Sequence, residues 1–389
     1  MPRDERAQQT GIAAAAPGDD DAIQLALAHQ RAGRLPQATA IYQQILSKSP
    51  HHPDVLHYMG MAAHEIGEDS VAVDLIRRAL RVAPGYAEAH NNLGNILFGQ
   101  DKFDEAAASY RSAIAVEPDY ADAHCNLGGV FYRQGKMDDA LACFERALGI
   151  EPENGMAVHM IAAIRGMPAE NAPRQYVTSL FDAYAKRFDA HLAQSLGYDV
   201  PRRLAELILR HARVPEHKWD ILDLGCGTGM VGAEMVSHAR QLAGVDLSER
   251  MLDKALQRGI YTRLVEADLL AMLQGEPAAS CDVITAADVF IYVGRIDGVV
   301  AETRRVLRPG GMFAFSIETL EPAPDEANDG QPRGFRLTTS GRFAHAPAYT
   351  ASLASAHGFR IVETQAARIR VESGVPVQGF IELWEKHAE

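Results

Sequence analysis

The sequence has 389 residues, of which 47% are hydrophobic and 23% charged, and a formal net charge of −13. Those values describe a globular chain with room for two or more domains and exclude one that is disordered or fibrous throughout. Acid exceeds base in both halves, which argues against a nucleic-acid partner, because phosphate binding needs a basic track.

Residues 1–18 are polar and mixed in charge, lack the apolar core of a signal peptide, and read as a disordered leader. No run of about 18 apolar residues occurs, so no membrane span is expected. Cys125, Cys143, Cys226 and Cys281 have neither zinc-site nor disulfide-framework spacing. They read as reduced thiols of a cytoplasmic protein, and no metal is expected.

From Asp19 the chain repeats. Segments of 34 residues starting at Asp19, Pro53, Ala87 and Ala121 superpose without a gap. Their eighth positions are Ala26, Gly60, Gly94 and Gly128, and their twentieth are Ala38, Ala72, Ala106 and Ala140. Position 24 carries Tyr42, Ile76, Tyr110 and Phe144, and position 32 is proline (Pro50, Pro84, Pro118, Pro152). Small residues let two helices approach, the bulky residue fills the groove between them, and proline stops the second helix. One such unit cannot bury its apolar face alone, so neighbours must stack into an α superhelix. The pattern resembles the tetratricopeptide repeat (TPR), with a further capping helix at residues 155–165. Its concave surface, expected to include Asn91, Asn95, Phe98, Tyr132 and Arg133, reads either as a groove for a protein or peptide partner or as the solvated face of a spacer or dimerisation module.

Residues 166–173 are rich in chain breakers and mark a join. Residues 176–192 then place apolar side chains at 177, 180, 181, 184, 188 and 192 on one helical face. By spacing alone this reads as a helix packing on a sheet; residues 166–212 read as linker and N-terminal helices, and residues 213–389 as a separate α/β domain.

In that domain strands and helices alternate, the mark of a doubly wound, mostly parallel sheet. The apolar run 221–224 ends in Gly225-Cys226-Gly227-Thr228-Gly229, and an apolar helix follows. Glycine on alternate residues suits a sharp strand-to-helix turn that a ligand approaches at bare backbone. A dinucleotide fingerprint needs its third glycine at position 230, where this chain has Met230. Later strands end at Asp246, Asp268 and Asp288, so with Asp223 four acids mark successive strand ends, where ligands of open α/β sheets bind. Each acid read singly is equally a helix cap or turn residue. A further helix at 348–357, a strand at 359–363 and a final antiparallel edge strand at 375–384 complete the pattern.

This set resembles class I S-adenosylmethionine (SAM) methyltransferases, whose sheet is seven-stranded and Rossmann-like, and the whole chain is similar to predicted bacterial methyltransferases that carry TPRs. The resemblance implies SAM as cofactor and S-adenosylhomocysteine as product. Gly225, Cys226, Gly227 and Gly229 would pass close to the methionine portion, with Asp223 placing its amino group. Asp246 would hold the ribose, Leu247 and Met251 would flank the nucleoside, and Asp268 with Leu269 would meet the adenine. Asp288 would line the cleft near the sulfonium. The N-terminal helices of residues 166–212 would close over the cofactor as a lid, with Tyr184 capping the methionine end and His191 nearby, and Tyr292 would face the acceptor. Arg342, by the chemistry of its guanidinium, suits the orienting of an acidic acceptor through a bidentate pair.

In-line displacement at a methyl carbon needs alignment and exclusion of water, and a base only where the acceptor is protonated. The insertion at residues 318–347 begins with a Pro-, Asp- and Gly-rich stretch that reads as a lid. It ends in Arg342-Phe-Ala-His345, where His345 reads as general base or, alternatively, as the cap of the helix beginning near Pro347. Three functions are compatible with this reading. They are a methyltransferase for a small molecule or biosynthetic intermediate, a protein methyltransferase whose TPR groove captures the polypeptide, and a non-catalytic scaffold with a regulatory SAM-binding domain.

Overall fold

The computed structural model describes residues 19–185, 198–212, 218–320, 334–372 and 375–387. The chain divides into two compact units, Met1–Val158 and His159–Glu389.

The first unit is a run of helix pairs: α1 (Asp19–Arg31) with α2 (Leu35–Lys48), α3 (Pro53–Glu65) with α4 (Asp69–Val82), α5 (Ala87–Gly99) with α6 (Phe103–Val116), and α7 (Ala121–Arg133) with α8 (Met137–Ile150). The first helix of each pair starts where a 34-residue segment starts. Close approach explains the small residues. A Cβ at Gly94 would stand 2.5 Å from Tyr110 Cε1, and one at Gly128 would stand 2.9 Å from Phe144 Cε1. Ala38, Ala72, Ala106 and Ala140 are wholly buried. Two residues expected on the concave face are engaged within the array. Asn91 is buried and accepts from Asn126 Nδ2 of the next repeat at 3.0 Å, and Asn95 Oδ1 accepts from the Tyr110 hydroxyl at 2.8 Å. A buried amide must be satisfied, and the neighbouring repeat supplies the partner.

Helix α9 (Gly155–Arg165) leads to α10 (Arg174–Tyr184) and α11 (Val200–His211). The sheet follows, with strands β1 (Trp219–Leu224), β2 (Ala239–Asp246), β3 (Arg263–Glu266), β4 (Cys281–Ala286), β5 (Leu307–Glu318), β8 (Phe359–Glu372) and β9 (Val375–Lys386). Their order is β3-β2-β1-β4-β5-β9-β8. Strands β1 to β5 are parallel, and β9 runs antiparallel to both β5 and β8. Helices α12 (Met230–Met235), α13 (Glu249–Gln257), α14 (Leu269–Gly275), α15 (Asp297–Val306) and α16 (Pro347–Ala356) make the crossovers and flank the sheet.

The expected edge strand is misplaced: β9 lies inside the sheet, and β8 forms the edge. Residues 379–385 of β9 are almost continuously buried, as a strand covered on both faces must be. Strand β8 carries Arg360, Glu363 and Arg368, charges that suit an unpaired edge. One face of the sheet holds Phe290, Phe313, Phe315, Phe359 and Trp384. The other buries Leu204, Leu207 and Ile208 of α11 with Val231 and Met235.

Candidate active site

The parallel strands end on one side of the sheet, and the turn after β1 is built there. Gly225, Gly227 and Gly229 all have positive φ (61°, 53° and 86°), a region that residues with a Cβ enter only under strain. A Cβ at Gly225 would also stand 2.5 Å from Val289 Cγ2, whereas one at Gly227 would meet nothing within 4 Å. The turn is therefore packed beneath residue 225 and open beyond residue 227. The Gly227 amide donates to Asp246 Oδ2 and the Ser248 amide to Asp246 Oδ1, each at 2.9 Å. Burial pushes the Asp246 carboxyl up, against the lowering effect of these amides. Each carboxylate oxygen retains a lone pair for a second donor.

Asp223 points into the protein. Its Oδ2 accepts from the Tyr261 hydroxyl at 2.7 Å and its Oδ1 from Thr285 Oγ1 at 2.8 Å. Burial pushes its carboxyl up to about 6, partly offset by these two donors. It braces the turn from below. The Tyr261 ring lies where side chains at Gly229, Gly232 or Gly244 would go, a role that nothing in the spacing of Tyr261 announced.

Cys226 turns its thiol inward, so that a Cβ at Gly244 would stand 2.8 Å from its Sγ; its N–H donates to the Val245 carbonyl of β2 at 2.9 Å, and its own carbonyl accepts from the Gly229 amide at 2.8 Å within the turn. Burial pushes that thiol well up. Leu247 is half-buried, while Met251 is fully buried and Leu269 is buried. Met251 thus lies in the core of this unit. Ser248 caps α13 through the Met251 amide and donates to Asp182 Oδ1 of α10 at 2.5 Å. Asp268 is exposed and caps α14 through the Leu270 amide at 2.9 Å. Tyr292 is buried edge-to-face against Phe181, with ring centroids 5.3 Å apart. His191 lies outside the described residues, as do the side chain of Tyr184 and most of the expected lid.

His345 corrects an expectation. It is wholly buried on β7 (Phe343–His345), which pairs with β6 (Phe335–Leu337), and its Nε2–H donates to the carbonyls of Val293 and Gly294 at 3.1 and 3.0 Å. Burial pulls its pKa down to about 4. It does not cap the following helix, whose N-cap is Ala346. A ring fixed in this way holds the β7 hairpin to the turn after β4, a structural anchor rather than an accessible base. Arg342 is half-buried on the same hairpin, where its carbonyl accepts from Thr338.

A polar cluster of which sequence reasoning named only Asp288 lies at the ends of β4 and β5. Asp288 has φ 55°, its amide donates to Ser316 Oγ, and that hydroxyl donates back to Asp288 Oδ1, both at 2.8 Å. The Tyr198 hydroxyl also hydrogen-bonds to this carboxylate. Behind it, Glu318 and Arg370, each about 6% exposed, form an ion pair at 2.5 Å. Burial pushes the Asp288 carboxyl up to about 6, with Arg370 opposing. Glu318 is the fifth acid at a strand end, so the rule that found the other four extends to it. Arg370 gave no signal, because it falls between the strands expected at 359–363 and 375–384.

A sheet of this order and direction, with its glycine turn after the first strand, is the class I methyltransferase fold, and helix pairs of this period are TPRs. Residues 222–315 match the family model for a methyltransferase domain, and residues 23–87 and 91–155 match that for the tetratricopeptide repeat. The chain thus carries a methyltransferase domain behind a TPR array. Methyltransferase-like protein 27 of Homo sapiens is 34% identical over 36% of this chain and 56% of that protein. Malonyl-[acyl-carrier protein] O-methyltransferase of Serratia marcescens is 32% identical over 37% of this chain and 52% of that protein. The chain spans about half the length of these curated relatives. A solved structure of Burkholderia thailandensis 1,6-didemethyltoxoflavin-N1-methyltransferase with S-adenosylhomocysteine is 18% identical at a TM-score of 0.41, covering 57% of this chain and 92% of that one. Among the described residues no helix is long and apolar enough to cross a membrane.

Proposed function

We propose that this chain is a SAM-dependent methyltransferase acting on a small molecule or biosynthetic intermediate, with the TPR array binding a protein or peptide partner. The observation that carries the reading is the open backbone at Gly227 beside the Asp246 carboxylate. That arrangement fits an adenosyl group, with bare backbone for close approach and a charged acceptor for paired ribose hydroxyls. Asp246 would hold the ribose and Gly225 to Gly229 the amino-acid portion, with Asp268 and Leu269 beside the adenine. When bound, the cofactor supplies an electrophilic methyl carbon on a sulfonium. The residues' task is to hold that carbon and the acceptor in line and to keep water out.

The test is incubation of the full chain with SAM tritiated in the methyl group and a fractionated lysate. Label in low-molecular-weight products supports the proposal. Label confined to polypeptide supports instead a protein methyltransferase whose repeats capture the substrate.

A further inference from the structure

We propose that Asp288 is the proton acceptor of the transfer step, held by Ser316 and Tyr198, and that the acceptor is therefore a hydroxyl or an amine. This rests on the methyltransferase reading above and assigns the base that the reading lacks once His345 is an anchor.

Three observations carry it. Val289, next in the chain, packs its Cγ2 against Gly225, which sets Asp288 one residue from the glycine turn. Asp288 also holds a left-handed backbone, φ 55°, without being glycine. Such strain persists only where the surroundings over-determine it, and it collects at working sites. Here Ser316 Oγ clamps both the amide and Oδ1 of the same residue. Finally, the groups facing the carboxylate are mixed in charge: Arg370 opposes its protonation, Glu318 favours it, and the Tyr198 hydroxyl stabilises the ionised form. Asp223, deeper in the sheet, bears on Tyr198. Burial is the largest influence and, opposed by Arg370, Ser316 and Tyr198, leaves a carboxyl pushed up to about 6, ionised near neutrality and close enough to it to take a proton.

The step balances. A lone pair on the acceptor's oxygen or nitrogen forms the bond to the methyl carbon. The carbon–sulfur pair returns to sulfur, leaving a neutral thioether, and the acceptor's proton passes to Asp288 Oδ2, the oxygen that Ser316 does not hold. Water then removes that proton.

The test uses the full chain, a deproteinised metabolite extract as acceptor pool, and SAM carrying a tritiated methyl. Asp288→Asn is expected to lower label transfer at least 100-fold while SAM affinity stays within about threefold at pH 6, and the wild-type rate should fall as pH drops through about 6. A second readout needs no turnover. The calorimetric preference for SAM over S-adenosylhomocysteine should weaken on acidification through the same region in wild type and stay flat in Asp288→Asn. Should that variant fail to fold, Tyr198→Phe decides, because loss of its hydrogen bond should move the acid limb to higher pH. An unmoved limb overturns the proposal. So does an Asp288→Asn chain as active as wild type, or label recovered as alkali-labile methyl ester, since a carboxylate acceptor has no proton to lose. A wild-type chain that binds SAM but labels neither metabolite nor protein overturns the methyltransferase reading itself, and this inference with it.

Discussion

The backbone amide of Gly227 donates to Asp246 Oδ2 at 2.9 Å, which ties the turn after β1 to the tip of β2. Turn and strand tip therefore stand or fall together. Asp246→Asn leaves one of the two amide donors facing an NH2 group. It should lower affinity for S-adenosylhomocysteine by about 10- to 100-fold, the worth of one charge-assisted hydrogen bond. Isothermal calorimetry reads this directly.

Gly225 and Gly227 should respond differently to alanine, although both have positive φ. Gly225→Ala adds a clash with Val289 to the backbone strain and should destabilise the sheet unit by about 2–4 kcal/mol. Gly227→Ala meets no protein atom and should cost about 1–2 kcal/mol, yet lose more than tenfold in SAM affinity. Tryptophan fluorescence in urea measures the first effect, because Trp219 and Trp384 both lie in this unit.

His345 makes stability depend on pH with a definite sign. Its folded pKa is pulled from 6.5 to about 4, so between those values the unfolded chain binds a proton that the folded one does not. Its contribution is complete above pH 6.5 and is lost as pH falls towards 4. By pH 5 about 2 kcal/mol should be gone. The stability gap between wild type and His345→Gln should therefore narrow by that amount between pH 7 and pH 5 in urea titrations.

In the helical array, Gly94→Ala forces the Tyr110 ring to move and should cost about 1–3 kcal/mol. Tyr110→Leu alone loses packing and the hydrogen bond to Asn95. Combined, the two should cost less than their sum, with a coupling of about 0.5–3 kcal/mol. Thermal unfolding followed by circular dichroism measures the cycle.

Periodic signals were legible in the sequence. The 34-residue repeat marks the starts of α1, α3, α5 and α7, and alternation of apolar runs with acids marks the ends of β1 to β4. Contacts between distant segments were not. That β9 lies inside β8 depends on pairing with β5, which no local pattern encodes. The Tyr261–Asp223 brace joins residues 38 apart, and Glu318–Arg370 joins strands separated by a helix and a hairpin. His345 misled because a histidine in a polar stretch reads as accessible, while burial of β7 makes it an anchor.

The central claim is that the ends of the parallel strands form a pocket for an adenosyl sulfonium. Calorimetric titration of the full-length chain tests it most directly. Saturable one-site heat with SAM and with S-adenosylhomocysteine, abolished in Asp246→Ala, is the predicted result. Silence with both compounds, together with saturable heat from a nicotinamide dinucleotide, would contradict it.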